Sequence, residues 1–368
     1  MQITSDFDTG NIIVENLDGT TAQLAIRPDT NNTFYQWFYF RASGDAGESR
    51  RFTITNAGGA SYPFAWPEYD VLASYDETHW FRLPTRYEDG QLIFEHQATQ
   101  ATASYAFFVP YTAAQRESLL KTCEAAGITR RTLGHSYQQR PIEAVVFGDE
   151  SRPVKKVWVI ARQHAGEPMA EYAADGLIRV LLATEDTSAQ SLLQKATVYV
   201  VPNINPDGST LGNLRANAAG VDLNRAWDNP TEECPEISAV LNAIEETGVD
   251  FFIDLHGDEH RPYIWIVPPG VEISPEARRL VDYFEIELAK RNPEVQPPPV
   301  SVAGVAADHL GMAVNYIAAT YGCPAWTPEL PFKATSNPQD GDDSLLATGC
   351  MRFGRSCVEA LDTIIEVE

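Results

Sequence analysis

Basic residues are scarce in this chain: 27 Lys and Arg stand against 51 Asp and Glu, a formal net charge of -24 over 368 residues. A polyanion would be repelled by such a surface, and no Lys/Arg cluster is dense enough to offset it, so nucleic acid is excluded as a partner. Long apolar runs are missing too. No uninterrupted stretch of about eighteen apolar residues occurs, and the start, MQITSDFDTGNIIVENL, carries charges and turn residues where a signal peptide needs a basic start and an apolar core. The expectation is a soluble, cytoplasmic protein with no membrane partner. Cysteines are few. Cys123, Cys234, Cys323, Cys350 and Cys357 are odd in number and lack C-x-x-C spacing, which argues against a disulfide framework and a thiolate zinc site and for reduced, buried thiols. Core material is plentiful instead: 44% hydrophobic residues suffice for two domains. No internal repeat is evident.

From Ile3 to about Val109 short runs rich in β-branched and aromatic residues are broken by turn clusters such as Asp18-Gly19 and Asp89-Gly90. That pattern predicts an all-β sandwich with antiparallel turns over residues 1–109. His79 and His96 lie here without partners at ligand spacing and read as structural or exposed. Helical character begins after Pro110, and from there to residue 368 strands and helices alternate, which predicts an α/β domain with a mixed sheet. Its elements are read as a strand Val157 to Ala161, a helix Glu171 to Leu182, a strand Thr197 to Pro202, a helix Glu233 to Thr247 and a strand Asp250 to Leu255. A strand Tyr263 to Val267, a helix Pro275 to Ala289, a strand Pro324 to Thr327 and a helix Ser344 to Ile365 follow. The proline-rich loop Pro293 to Pro299 reads as exposed.

Chemistry concentrates at strand ends. His164 and Glu167, spaced H-x-x-E, follow the apolar run ending at Ala161, and His256 in Asp254-Leu255-His256-Gly257 follows Phe251-Phe252-Ile253. Open α/β sheets bind ligands at the carboxyl ends of their strands. Two imidazoles and a carboxylate leave a fourth position open, the donor pattern of a catalytic zinc, one per chain. Asp254, two residues before His256, could orient that ligand or cap a turn.

Between these motifs stand Asn205-Pro206-Asp207-Gly208, then Gly212-Asn213-Leu214-Arg215-Ala216-Asn217, then Gly220-Val221-Asp222-Leu223-Asn224-Arg225. This ordered set resembles the zinc metallocarboxypeptidases of the carboxypeptidase A superfamily, and among them the cytosolic carboxypeptidase, deglutamylase-like branch. Pro110-Tyr111-Thr112 is likewise similar to the turn that introduces that branch's peptidase domain. The resemblance implies hydrolysis of residues from peptide or protein C-termini. It implies Glu329, after the strand read at Pro324 to Thr327, as the general base, Arg215 as stabiliser of the oxyanion, and Asn224 with Arg225 as the clamp on the terminal carboxylate. A guanidinium fork suits a carboxylate, which is the independent reason for those arginines. Some members also supply a mobile tyrosine, for which Tyr316 is the choice here over Tyr321.

The same resemblance implies removal of glutamate, with a basic side chain in a G-x-G-R-V segment. The matching stretch, Leu310-Gly311-Met312-Ala313-Val314, has no arginine, so Lys333 or Arg261 would have to supply the charge. A neutral or apolar terminal residue stays open. Two rival readings remain: a zinc deacylase or amidohydrolase of N-acyl amino acids on the same fold, and a non-catalytic binding protein on a decayed peptidase fold.

Overall fold

A computed structural model describes residues 1–296, 309–337 and 346–366. Ten strands between Gln2 and Ala106 form two five-stranded sheets. One runs in the order β1 (Gln2–Thr4), β4 (Tyr39–Ser43), β10 (Thr102–Ala106), β6 (Val71–Ser74), β7 (Trp80–Leu83); the other is β2 (Ile13–Asp18), β3 (Thr21–Ala25), β5 (Ser49–Ile54), β9 (Gln91–Gln97), β8 (Thr85–Glu88). Their inner faces meet through aromatic rings. Phe40 lies 5.5 Å from Phe52, and Tyr105 lies 4.7 Å from Phe52 and 5.8 Å from Phe94, so the two sheets share one aromatic layer. The sequence predicts antiparallel pairing throughout, and β3 with β5 departs from it by running parallel. The cause is topological: β4, between them in the chain, belongs to the opposite sheet.

The third sheet has seven strands in the order β11 (Thr129–His135), β12 (Pro141–Phe147), β14 (Ala196–Val201), β13 (Lys155–Ala161), β15 (Phe251–Asp258), β17 (Ala325–Pro331), β16 (Trp265–Val267). Its centre, β14-β13-β15-β17, is parallel, with antiparallel strands on both flanks. Central parallel strands are covered on both faces and therefore read as continuous apolar runs. The two faces separate cleanly by residue parity. Val157, Val159, Phe251 and Ile253 enter one core with α2 (Pro168–Leu182), α6 (Pro275–Arg291) and α8 (Ala347–Ile364), while Trp158, Ile160 and Phe252 enter a second with α5 (Pro235–Thr247) and α7 (Ala313–Tyr321). The first core is continuous with the sandwich interior: Phe107 stacks on Phe332 at 4.4 Å, just beyond β17. Along α2 and α8 the backbones touch. A Cβ on Gly354 would stand 2.0 Å from the Ala173 carbonyl oxygen, and one on Gly176 would stand 2.1 Å from that of Met351.

All five cysteines are free and buried, as their spacing predicts. No helix among the described residues is long and apolar enough to cross a membrane. The strand expected to end at Thr327 continues to Pro331, so Glu329 lies within β17 and not beyond it. The expected loop at 293–299 and the expected helix start at Ser344 extend into residues outside those described.

Candidate metal centre and its surroundings

β13 ends at Ala161, and the next residue turns the chain sharply. Arg162 adopts φ +59, a left-handed conformation that costs a side-chain-bearing residue about 1–2 kcal/mol. Three contacts hold it there. Its Nε donates to the Ala165 carbonyl at 3.0 Å, and Nη1 donates to the Tyr111 carbonyl at 2.8 Å and to Glu171 at 2.7 Å. The turn throws His164 over the end of the sheet. Gly166 then passes so close to the next loop that its N–H donates to the Leu214 carbonyl at 2.6 Å, and a Cβ there would lie 2.9 Å from that oxygen. Glu167 caps α2.

His164 and His256 both turn Nδ1 toward the Glu167 carboxylate, at 2.7 and 3.0 Å, and the two Nδ1 atoms face each other at 3.1 Å. Only one of these contacts can be satisfied by each ring proton. Three buried donor atoms converging on one point, all within 4.8 Å of one another, are the arrangement a cation resolves. Carboxylates stand behind the imidazoles. Asp254 Oδ2 lies 2.9 Å from His256 Nε2 and also accepts from Gln163 Nε2 at 2.6 Å, and Gln163 in turn accepts from the Trp227 indole at 2.8 Å. Asp222 Oδ1 lies 3.3 Å from His164 Nε2, but out of line for a hydrogen bond. Such outer carboxylates fix the ring tautomer and raise ligand basicity. Burial pushes Glu167 upward, but the two imidazoles outweigh it and hold the carboxyl below its usual range. Burial pushes His256 downward, and Asp254 with Glu167 outweigh that and raise it.

Glu329 pairs in register with His256 across the parallel β15-β17 ladder, so both side chains leave the sheet on the same face. Burial raises its carboxyl well above the ordinary range, and Glu167, Asp258 and Glu259 add to that against His256. Arg215 reaches toward the site from the 212–217 loop. Its Nε donates to Asp222 Oδ2 at 2.6 Å and its Nη1 to the Tyr62 hydroxyl at 2.7 Å. Asp222 thus stands between Arg215 and His164, and burial, although it raises the carboxyl, loses to those two neighbours. The loop itself is held by the sandwich: Asp29 accepts the N–H groups of Leu214, Arg215 and Ala216 at 2.5, 2.8 and 2.8 Å. Asn224 is buried, with Nδ2 3.4 Å from His256 Nε2 and Oδ1 accepting the Ala313 N–H at 2.9 Å. Arg225 is exposed, and its side chain has only its own neighbour's carbonyl, Asn224 O, as a hydrogen-bond partner among the described residues.

Tyr316 sits on α7 with its ring packed against the second core. Arg261 is engaged, bonded to Asp258 at 2.7 Å and lying 4.1 Å over the Trp265 ring. Lys333 is 5% exposed and has no hydrogen-bond or ion-pair partner among the described residues, and burial lowers its pKa. Sequence reasoning did not find Asp29, Tyr62 or Asp222. Asp222 stood inside the quoted Gly220 to Arg225 motif. The first two lie more than 150 residues from the loop they serve, with no local signal.

Residues 3–108 match the family described as cytosolic carboxypeptidase N-terminal domain, and residues 119–278 match zinc carboxypeptidase. A metallo-carboxypeptidase of Burkholderia cenocepacia superposes with a TM-score of 0.93 at 34% identity, covering 100% of this chain and 99% of that one. A metallo-carboxypeptidase of Pseudomonas aeruginosa, solved in complex with (2-guanidinoethylmercapto)succinic acid, gives 0.92 at 38%, with coverage of 100% and 99%. Cytosolic carboxypeptidase 6 of Caenorhabditis elegans is 29% identical over 70% of this chain, which spans 62% of that protein's length. The human protein of the same name is 26% identical over 68% of this chain, which spans 56% of its length.

Proposed function

The chain belongs to the zinc carboxypeptidase family, and on that premise we propose that it removes single residues from the carboxyl termini of peptides or proteins in the cytoplasm. The observation that carries the reading is the convergence of His164, Glu167 and His256 beside Glu329 at the carboxyl ends of parallel strands. In this reading those three residues hold one zinc ion per chain, which when bound supplies Lewis acidity and lowers the pKa of water. Glu329 takes the water's proton and passes it to the departing amine. Arg215 supplies positive charge where the carbonyl oxygen becomes negative. Asn224 and the exposed Arg225 hold the terminal carboxylate, which confines cleavage to chain ends. Residues beyond 278 lie outside the family match, so the role of Glu329 rests on its register with His256.

For the departing residue we propose an acidic side chain. Lys333 supports this, because its side chain is largely buried with no hydrogen-bond or ion-pair partner among the described residues, and Glu68 and Asp258 act on it only at longer range, so a substrate carboxylate could pair with it. Arg261 is already committed to Asp258. A basic terminal residue is the competing reading, favoured by the guanidino group of the ligand held by the Pseudomonas relative. The test is a set of peptides that differ only in the last residue, each free and amidated, digested by the zinc-loaded protein. Free peptides ending in Glu or Asp should be cut fastest and amidated ones poorly. Preference for Lys, Arg or Leu refutes the acidic assignment alone, while equal cleavage of free and amidated peptides refutes the exopeptidase.

A further inference from the structure

The active-site arginine is held partly by a residue that the peptidase fold does not contain. Tyr62 follows β5 in the sandwich, at the N-cap of a short 3-10 segment, Pro63–Ala65, and its hydroxyl accepts from Arg215 Nη1 at 2.7 Å. The backbone around it is anchored: the Tyr62 N–H donates to Gln36 Oε1 at 2.8 Å, and the Gln36 amide donates back to the Tyr62 carbonyl at 3.3 Å. Gln36 is itself fully buried. The phenol therefore projects from a fixed point of the sandwich. Phe34, from the same region, lies with its ring 5.9 Å from the Arg215 guanidinium carbon.

We propose that Tyr62 is a positioning residue for Arg215, so that the sandwich sets the geometry of the oxyanion-binding charge. This rests on the carboxypeptidase reading, in which Arg215 meets the developing negative charge. A guanidinium offers five N–H donors. Asp222 takes the one on Nε and Tyr62 takes one on Nη1, and no other acceptor contacts the side chain among the described residues. Three donors therefore stay available to a substrate. Asp222 alone fixes the Nε edge but leaves the far end of a four-bond side chain free to pivot. The Tyr62 contact supplies the second anchor and makes the plane of the guanidinium determinate. Tyr62 can do this only as a neutral phenol, because a phenolate would form an ion pair and draw the arginine's charge away from the substrate. Burial raises its pKa, and Glu259 adds to that, so the phenol stays protonated.

Electrostatic catalysis depends on donors that are already in place. Loss of a whole oxyanion donor costs about a hundredfold to a thousandfold, and misplacement by about 1 Å costs about a hundredfold. Removing the anchor while keeping the arginine should cost less than removing the arginine. Tyr62→Phe keeps the ring and deletes only the hydroxyl. Its kcat on a free-carboxyl peptide should fall about tenfold to a hundredfold with KM within about twofold, while zinc content stays at the parental value. In an Arg215→Met background the same change should cost nothing more, since the hydroxyl acts only through the guanidinium. A readout without turnover accompanies this: the urea-midpoint shifts of Tyr62→Phe and Arg215→Met should be non-additive. Parental kcat in Tyr62→Phe, or an equal loss in both backgrounds, overturns the proposal. If the Phe variant misfolds, Arg215→Lys replaces it, because a lysine cannot bridge Asp222 and Tyr62 together and should show the kcat loss with normal zinc content. No cleavage of any free-carboxyl peptide by the parent would instead refute the carboxypeptidase reading, and additive midpoint shifts would still overturn the contact.

Discussion

Replacing Asp29 with alanine should loosen the catalytic loop from the far side of the molecule. The carboxylate is 4% exposed and accepts three consecutive backbone N–H groups, Leu214 on Oδ1 and Arg215 with Ala216 on Oδ2. Hydrogen bonds to a charged acceptor contribute about 1.5–3 kcal/mol each. Burial pushes the Asp29 carboxyl up to about 6 in spite of those amides, so the lower figure applies and the three together are worth about 4.5 kcal/mol. Water entering the vacated space recovers part of this, which leaves an expected loss of about 2–4 kcal/mol. Urea unfolding followed by fluorescence measures it directly, provided the slope with denaturant is unchanged. Asparagine should rescue only in part, because its NH2 group faces either the Leu214 amide or the other two. In folded Asp29→Ala, Arg215 rides on a freed loop, and kcat should fall about a hundredfold with zinc retained. A stability change below about 0.5 kcal/mol together with parental kcat would refute the claim that the sandwich holds this loop.

Glu329→Gln should bind zinc normally and lose about a hundredfold or more in turnover, whereas His164→Ala and His256→Ala should each lose the metal; metal analysis beside initial rates separates the two classes. His96 is bonded to the Tyr75 hydroxyl at 2.9 Å and the Tyr105 hydroxyl at 2.8 Å, and burial, then Arg50, holds its pKa below 6.5. The unfolded chain thus takes a proton that the folded chain refuses, so this group's contribution is complete above about pH 6.5 and is lost as pH falls below it. Urea midpoints of the parent should drop across that window more steeply than those of His96→Gln. Gly354→Ala should destabilise by about 1–3 kcal/mol or more, read by thermal or urea unfolding, because its Cβ would strike the Ala173 carbonyl.

The proposed metal ligands were legible because His164 follows β13 and His256 stands near the carboxyl end of β15, and such central parallel strands announce themselves as apolar runs. His164 and His256 sit where those runs stop. β17 was harder. Pro328 and Pro331 demote a run as a strand, since proline cannot donate to a ladder; yet β17 extends to Pro331, and Glu329 is paired with Trp265 on one side and His256 on the other. α7 was missed outright, because Met312 at its N-cap gives no polar start signal. Asp29 and Tyr62 were illegible for a different reason. Their meaning lies in a loop that only the folded chain brings near, and the local sequence around each reads as an ordinary turn.

The pairing of His256 with Glu329 has a consequence for how this chain tolerates insertions and deletions. Side chains alternate across a strand, so a slip of one residue in β17 would turn Glu329 into the core face that Trp326 and Leu330 now fill and bring Pro328 or Leu330 to the position opposite His256. The three metal ligands lie on other elements and would be untouched. On the proposed mechanism, a single-residue deletion between Ala325 and Glu329 would therefore leave a chain that can still hold zinc but has no group to move the proton, and a two-residue change would restore the face at the expense of the Phe107–Phe332 stack. On the proposed mechanism catalysis is indexed by strand parity, so a change of length would be tolerable in the loops around β17 but not within it.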